Sequence, residues 1–296
     1  MYGLGIDIGS TASKVVIVDD AGEIVDWVVC DLGAGTSGAK QALNQVFAKT
    51  GLTWGDITYS VATGYGRQRF DQANKQISEI SCHAKGMSKL IPGTRTIIDI
   101  GGQDVKAMRL QPDGTLDTFI MNEKCAAGTG RFLDVMARVL ESDVSQLKDL
   151  DAKATDPVEI SSTCTVFAES EVISHLANGE SIPDIVAGIH NSVAHRTAGL
   201  VRRLGPIEEP IAMSGGVARN TGAVHAIERQ LETNIAVSDL CQLCGALGAA
   251  LYALEQAQKM QAEKVPFFHR EIFKRPLVLD ACVHICRFVW EARMEI

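Results

Sequence analysis

Short apolar runs separated by polar turns open the chain. Residues 2–8, 14–18 and 27–32 form three such runs, each of strand length, and we expect all three to be strands. In residues 39–49 the apolar positions recur every three to four residues, which predicts a helix. The turns between the runs contain Gly, Asp and Ser, residues that tight turns favour. The opening is therefore predicted to be a β meander followed by a helix.

The same pattern returns in the middle of the chain. Residues 96–110, TIIDIGGQDVKAMRL, echo residues 4–18, LGIDIGSTASKVVIV, and the turn QPDG stands where the first half has DDAGE. A long-period echo of this kind predicts two related halves. Further elements are predicted as helices at 130–141, 166–177 and 184–203, a strand at 211–216, a helix from about 220 and a last helix at 245–262.

Composition and charge narrow the class of protein. The chain has 296 residues, enough for about two domains, with 46% hydrophobic and 22% charged residues, as in ordinary globular enzymes. Its net charge of −8 argues against a nucleic-acid-binding surface. No run of about 18 apolar residues occurs, so no membrane span is expected, and the N-terminal residues predict no signal peptide. Eight cysteines without a secretory signal favour a reducing cytoplasm and raise the question of metal or redox chemistry.

Three glycine-containing loops carry the candidate phosphate chemistry. No Walker-type sequence G-x-x-x-x-G-K-[ST] occurs. A G-x-G-x-x-G at Gly33, Gly35 and Gly38 follows the third strand, and we interpret it as a strand-to-helix connection rather than a dinucleotide site. The two Asp-x-Gly turns, in contrast, offer backbone N–H groups to phosphate oxygens and a carboxylate that can hold Mg²⁺. In SGGVARN, residues 214–220, glycine allows the backbone to approach an adenosine closely.

These three loops, in this order, resemble those of the actin-like ATPase superfamily, which includes heat-shock chaperones and sugar kinases. The resemblance implies an α/β fold of two ribonuclease-H-like subdomains with the nucleotide in the cleft between them. We expect subdomain I at residues 1–95 plus the helix at 245–262, and subdomain II at residues 96–244.

Site residues follow from the loops and from this resemblance. Asp7, Gln103 and Asp104 are the candidate catalytic residues, and Asp7 and Asp99 are the candidate Mg²⁺ ligands. The residues predicted to bind ATP or ADP are Gly9, Ser10, Thr11, Ala12, Ser13, Lys14, Asp99, Gly101, Gly102, Gly215, Gly216, Asn220 and Gln242.

Two cysteines, Cys125 and Cys164, are predicted to lie near helix N-termini. The apolar faces expected of the two helices consist of Phe132, Leu133, Met136, Val139 and Leu140 in the first and Val166, Phe167, Ile173 and Leu176 in the second. A helix N-terminus stabilises a thiolate. An iron–sulfur cluster usually takes four thiolates, and a twofold dimer would supply two from each chain. Buried packing cysteines and a cysteine nucleophile are the alternatives.

The segments around both cysteines, MNEKCAAGTGRFLDVMA and ISSTCTVFAESEVIS, resemble those of the activator components of 2-hydroxyacyl-CoA dehydratases, in the BadF/BadG/BcrA/BcrD type of ATPase. ATGYGR, ISEISCHAKG and CGALGAALYA match that family too, and the resemblance covers residues 1 to about 260. It implies a homodimer with one [4Fe-4S] cluster held by Cys125 and Cys164 of each chain. ATP hydrolysis would drive one electron at low potential into a partner dehydratase, forming a ketyl radical on its substrate. Ferredoxin or flavodoxin would supply the electron, in a cytoplasmic, anaerobic amino-acid fermentation.

The chain departs from this family in two places. Cys241 and Cys244 form a C-x₂-C pair in SDLCQLCGALG, a possible metal motif that we interpret as incidental because no second pair accompanies it. The segment at 263–296, with Cys282 and Cys286 on one face of a predicted helix, has no counterpart in the family and is interpreted as an appendage. Cys30 and Cys82 are expected to be core residues.

Three alternative functions stay open at this point. A benzoyl-CoA-type reductase has a related ATPase subunit with the same cysteines and phosphate loops. A small-molecule kinase of the same fold would need the phosphate loops but not the paired cysteines. A regulatory nucleotide-binding module would bind ATP without turnover.

Overall fold

Two five-stranded sheets of identical topology form the framework of the protein. The computed structural model describes residues 1–122, 125–161 and 164–264. The first sheet contains β1 (Tyr2–Ile8), β2 (Ser13–Val18), β3 (Ile24–Cys30), β4 (Ile57–Thr63) and β5 (Lys75–Gln76), in the order β3-β2-β1-β4-β5. The second contains β6 (Thr96–Ile100), β7 (Val105–Leu110), β8 (Leu116–Asn122), β9 (Ile211–Ser214) and β10 (Ile235–Val237), in the order β10-β9-β6-β7-β8.

The pairing within the sheets repeats as well. In each sheet the first three strands form an antiparallel meander, and the central strand, β1 or β6, pairs in parallel with a later strand, β4 or β9. Asp7 lies opposite Lys14 in the first sheet, and Asp99 lies opposite Lys106 in the second. The sequence echo between residues 4–18 and 96–110 is therefore confirmed as a structural repeat.

The described residues contain eight α-helices. They are α1 (Gly38–Thr50), α2 (Glu79–Leu90), α3 (Gly130–Val139), α4 (Leu147–Asp151), α5 (Thr165–Ala177), α6 (Ile182–Arg203), α7 (Thr221–Leu231) and α8 (Cys244–Lys264). One face of the first sheet packs on α1 and the other on the start of α8. The second sheet packs on α3, α6 and α7 on one face and on α2 on the other.

Glycine brings the first sheet and α8 into close contact. A Cβ atom placed on Gly5 of β1 would lie 2.0 Å from the carbonyl oxygen of Ala246. Helices α2 and α8 also touch through glycine, because a Cβ on Gly248 would lie 1.8 Å from the carbonyl oxygen of Cys82. These contacts allow backbone to pack directly on backbone, which larger residues would prevent.

The chain divides into two compact units, Met1–Leu254 and Glu255–Ile296. The described part of the second unit continues α8 as far as Lys264. The C-x₃-C pair of the sequence, Cys282 and Cys286, lies outside the described residues. Division of the first unit into subdomains at residues 95 and 244 stays a prediction. Among the described residues, no helix is long and apolar enough to cross a membrane.

Most of the predicted strands and helices are confirmed. In α5, however, the buried residues are not the ones in the predicted apolar stripe. The apolar face of α3 is buried as predicted. The buried residues of α5 are Ala168 and Val172, whereas Val166, Phe167 and Ile173 are exposed by 66%, 67% and 51%. Periodicity identified the apolar positions of α5 but not which of its faces packs against the rest of the chain.

Candidate functional site

A single cavity of about 720 Å³ brings the three glycine-containing loops together. This volume is within the range of small-molecule sites. The cavity is lined by Asp7, Gly9, Ser10, Thr11, Ala12 and Lys14 from the first loop, Asp99, Gly101, Gly102, Gln103 and Asp104 from the second, and Gly215, Gly216, Asn220 and Gln242 from the third region. Every predicted nucleotide or catalytic residue therefore lines it except Ser13, whose buried hydroxyl donates to the carbonyl oxygen of Leu32 at 2.8 Å.

The first two loops have the same turn geometry. Gly9 N–H donates to the carbonyl oxygen of Ala12 at 3.0 Å, and Gly101 N–H donates to that of Asp104, also at 3.0 Å. The loops lie in contact, since a Cβ atom on Gly102 would be 2.4 Å from the Thr11 hydroxyl oxygen. The two turns that are predicted to bind phosphate thus lie close enough to contact one polyphosphate.

A chain of buried hydrogen bonds holds the third loop in place. Asn220 caps α7 by accepting from the Ala223 N–H at 3.2 Å, and its amide nitrogen lies 2.9 Å from Nε2 of His190. Nδ1 of His190 lies 2.9 Å from Asp151. Because the Asn220 nitrogen can only donate, Nε2 accepts and Nδ1 carries the proton toward the carboxylate. The hydrogen bond from Asn220 to His190, which is itself held by Asp151, thereby fixes the orientation of Asn220 at the start of α7.

Gln242 reaches the cavity from the segment before α8. Its side-chain oxygen accepts from the Arg219 guanidinium at 3.1 Å, and Arg219 also lines the cavity. Gly215 N–H donates to the carbonyl oxygen of Cys241, which ties this segment to the third loop. Neighbouring Cys241 and Cys244 are buried and unpaired with each other. Burial raises the pKa of Cys241 to about 11, so this thiol stays protonated and unreactive at neutral pH.

A cluster of buried charges at the base of the cavity was not predicted from the sequence. Glu79 and His83 lie one turn apart on α2; Glu79 pairs with Lys106 of β7, and His83 pairs with Asp99 of β6. Nζ of Lys106 lies 2.9 Å from Glu79, 3.1 Å from Asp99 and 2.5 Å from Asp104. Burial lowers the pKa of Lys106, but the three carboxylates outweigh this and hold the pKa above its usual value. Lys106 is therefore a permanent buried cation.

Asp7 and Asp99, the two predicted Mg²⁺ ligands, differ in how many of their oxygen atoms are already occupied. Asp99 has both oxygens occupied: one accepts from Ser214 at 2.7 Å and faces His83 at 3.2 Å, and the other faces Lys106. Asp7 has one oxygen 3.3 Å from Lys14 and a second, buried oxygen without a hydrogen-bond partner among the described residues. An orphaned carboxylate oxygen fits a hard cation or its water. The free oxygen of Asp7 thus fits a direct ligand best, and Asp99, whose ligand atom lies within 4.8 Å of those of Glu79 and His83, stays a predicted ligand.

The two candidate cluster cysteines are exposed. Cys164 is the N-cap of α5, and Cys125 lies in the loop that enters α3, whose N-cap is Thr129. Burial lowers the pKa of the Arg196 guanidinium, and Cys125 and Cys164 both act on this pKa in the opposite direction. The alternative of two buried packing cysteines is wrong. Cys30 and Cys82, in contrast, are buried, as predicted.

Backbone hydrogen bonds join the second loop to the cysteine-bearing region. Gly130 N–H donates to the carbonyl oxygen of Gly101, and Arg131 N–H donates to that of Gly102, both at 2.9 Å. These are free N–H groups of the first turn of α3, so the phosphate loop itself caps this helix. Any displacement of the loop therefore acts on the start of α3, five residues after Cys125.

Comparison with known proteins agrees with this arrangement. Residues 4–253 match the model of the BadF/BadG/BcrA/BcrD ATPase family. The chain belongs to that family. As a BadF/BadG/BcrA/BcrD-type protein it is an ATPase, and the predicted family and class of enzyme are confirmed.

Individual family members are similar over almost their whole length. The activator of lactoyl-CoA dehydratase from Anaerotignum propionicum is 57% identical over 88% of this chain and 100% of the relative. The (R)-2-hydroxyglutaryl-CoA dehydratase activating ATPase from Acidaminococcus fermentans is 52% identical over 88% and 99%. The solved activator of the 2-hydroxyisocaproyl-CoA dehydratase from Clostridium difficile, with bound ADPNP, superposes with a TM-score of 0.88 at 54% identity, covering 90% of this chain and 99% of that one. The predicted fold is therefore confirmed, and the ADPNP-bound neighbour supports binding of ATP and ADP.

Proposed function

We propose that this protein activates a 2-hydroxyacyl-CoA dehydratase by coupling ATP hydrolysis to the transfer of one electron. Relatives that are 52–57% identical are named as dehydratase activators, which supports a dehydratase as the partner. The observation that carries the coupling is the pair of hydrogen bonds from Gly130 and Arg131 to the second phosphate loop. Of the alternatives, the kinase does not account for two exposed cysteines beside a helix fixed to that loop.

Cys125 and Cys164 of two identical chains would hold one [4Fe-4S] cluster. Each chain offers two exposed thiols, which is half of the usual ligand set. When bound, the cluster would supply a single electron at low potential. Ferredoxin or flavodoxin is the proposed electron source, and a reducing cytoplasm is the proposed compartment.

A second copy of the chain would also cover the exposed face of α5. Val166 and Phe167 follow Cys164 directly in the chain and are about two-thirds exposed. Large exposed apolar side chains beside an incomplete set of ligands are typical of an interface between subunits. The proposed homodimer thus accounts for both the missing ligands and the apolar surface.

Nucleotide binding would act on the cysteines through the loops. The phosphates would be held by the backbone N–H groups of both loops and by Lys14, with Mg²⁺ held at Asp7 to neutralise phosphate charge. Loss of the γ-phosphate removes part of what holds the two loops in one arrangement, which is a differential-affinity switch. Gly101 and Gly102 would then carry the movement to α3.

Reconstitution tests this function directly. Anaerobically purified protein, reduced with dithionite, is mixed with a purified dehydratase component, ATP and its 2-hydroxyacyl-CoA. We expect formation of the unsaturated acyl-CoA with ATP and none with ADPNP. A benzoyl-CoA reductase component serves as the second arm, and activation of that partner alone would favour the reductase alternative. Activation of neither partner, in protein that hydrolyses ATP, would contradict the proposal.

A further inference from the structure

Besides the two phosphate loops, two further groups of residues line the nucleotide cavity. The third loop and the segment before α8 contribute Gly216, Arg219, Asn220 and Gln242. The second group, Val144, Ser145 and Lys148, comes from α4 and from the short 3₁₀ helix that precedes it. Because the phosphates are assigned to the first two loops, these two groups are the ones left to contact the nucleoside.

His190 connects the two groups from behind the cavity. It lies in the middle of α6, and its side chain is fully buried. Its Nε2 atom lies 2.9 Å from the amide nitrogen of Asn220, the last residue of the third loop. Its Nδ1 atom lies 2.9 Å from the carboxylate of Asp151, which ends α4 one turn after Lys148. One imidazole thus links the third loop to α4.

Both hydrogen bonds of His190 have a defined direction. The amide oxygen of Asn220 accepts from the Ala223 N–H, so the amide nitrogen is the atom that faces His190. Nε2 of His190 therefore accepts, and Nδ1 donates to Asp151. Burial raises the pKa of Asp151, but the hydrogen bond from His190 and the charge of Arg229 outweigh this and hold the pKa below its usual value. Asp151 is therefore an ionised acceptor that orients the imidazole.

Glycine at position 222 allows α7 to pack closely on this pair. A Cβ atom on Gly222 would lie 2.7 Å from Nδ1 of His190 and 2.9 Å from Cγ of Asp151. At the other side, the fully buried Leu147 fixes α4 in the core of the second sheet. The start of α7 and the end of α4 are therefore both in direct contact with the imidazole or its carboxylate partner.

We propose that His190, oriented by Asp151, is a positioning residue for the nucleoside of ATP. It holds the third loop and α4 at the separation at which both contact the nucleoside, without touching the nucleotide itself. Hydrolysis at the phosphates should be unaffected, because the hydrogen-bond partners of His190 belong to neither phosphate loop. This role requires only the ATPase activity and not the proposed electron transfer, so either proposal can fail without the other.

The variant His190→Phe tests this role in the full-length protein purified without oxygen. Phenylalanine keeps a planar ring and removes both hydrogen bonds. We expect the Kd for ADPNP to rise about tenfold, the effect of about one lost hydrogen bond. The kcat for phosphate release at saturating ATP should stay within about threefold, as when binding alone is weakened. His195→Phe, an exposed change on the same helix, is the matched control and should behave as wild type.

A second variant, Asn220→Ser, shows whether His190 acts through Asn220. Serine keeps a side-chain cap for α7 but removes the amide that meets His190. In the Asn220→Ser background, His190→Phe should raise the Kd for ADPNP by less than about twofold more, because residues in one hydrogen-bond network do not act additively. A full tenfold further rise would refute the proposed connection.

Two results for His190→Phe alone would also overturn the proposal. One is an unchanged Kd for ADPNP, and the other is a lower kcat at unchanged Kd, which is the pattern of a partly unfolded protein. If His190→Phe does not fold, Asp151→Ala takes its place, because it removes the group that orients the imidazole. Asp149→Ala, exposed on the same helix, is then the control. A Kd at least about threefold above that of the control supports the proposal, and an equal Kd refutes it.

Discussion

The backbone N–H of Gly130 donates a 2.9 Å hydrogen bond to the carbonyl oxygen of Gly101. Gly101 belongs to the second phosphate loop, and Gly130 is the first residue of α3. A helix N-terminus normally finds its hydrogen-bond partners in side chains or water. Here a loop that lines the cavity supplies them, and we propose that the state of the bound nucleotide acts on the position of α3 through these bonds.

Replacement of a predicted cluster cysteine should remove the iron–sulfur cluster but leave nucleotide binding intact. We predict that Cys125→Ala and Cys164→Ala each lose iron but retain ADPNP affinity within about threefold, because neither thiol lines the nucleotide cavity. Cys30→Ala removes a buried thiol in the first sheet and serves as the control that keeps its iron. Iron content is measured after anaerobic purification. Full iron content in either cluster variant would remove that residue from the ligand set.

A side chain added where the two phosphate loops touch should weaken nucleotide binding. A Cβ atom on Gly102 would lie 2.4 Å from Oγ1 of Thr11, too close without a shift of one loop. Overpacking of this kind costs about 1–3 kcal/mol, so Gly102→Ala is predicted to weaken ADPNP binding about tenfold or more. Gly199→Ala, in α6 with no neighbouring atom within 4 Å, should leave binding unchanged. Equal Kd values for ADPNP in wild type, Gly102→Ala and Gly199→Ala would show that nucleotide binding does not need this close approach of the loops.

The buried pair of His83 and Asp99 predicts a pH dependence of stability. Burial lowers the pKa of His83, but Asp99 at 3.2 Å outweighs it, so the pKa lies well above its usual value. The folded protein then holds a proton that the unfolded chain releases above about pH 6.5. Its stabilising contribution is complete below that pH and is lost as pH rises toward the folded pKa, with a slope of up to about 1.4 kcal/mol per unit.

Denaturant titrations between pH 6 and pH 8.5 measure this slope. Relative to His83→Asn, the wild-type free energy of unfolding should decline as pH rises through this range. His175→Asn, which changes a histidine near the end of α5, should keep the wild-type slope. Parallel curves for wild type and His83→Asn would show that His83 is not protonated in the folded state.

The exposed face of α5 should control assembly. We predict that Phe167→Glu yields monomers and lowers iron content, because a charge buried at an interface is costly. Phe119→Glu is the matched control, since Phe119 is 46% exposed on β8, and it should remain dimeric. Light scattering after size exclusion measures the mass. A Phe167→Glu protein that is still a dimer with full iron content would place the interface elsewhere.

Much of the framework could be predicted from the sequence because its signals are local. The repeated Asp-x-Gly turns identified both sheets, and periodicity identified the major helices to within a few residues. Glu79 and His83 were missed because their i, i+4 spacing is common on helices, and only tertiary packing places Glu79 against Lys106 and His83 against Asp99. The segment from β4 to α2 was not predicted at all. For α5, an apolar pattern cannot distinguish a face buried within one chain from a face left for a partner.

Iron and acid-labile sulfide per dimer, in protein purified without oxygen, test the central claim most directly. One cluster shared by Cys125 and Cys164 of two chains predicts about four iron and four sulfide per dimer. Values near zero, in protein never exposed to air that still binds ATP and forms dimers, would contradict the proposed electron transfer and leave an ATPase with two exposed cysteines.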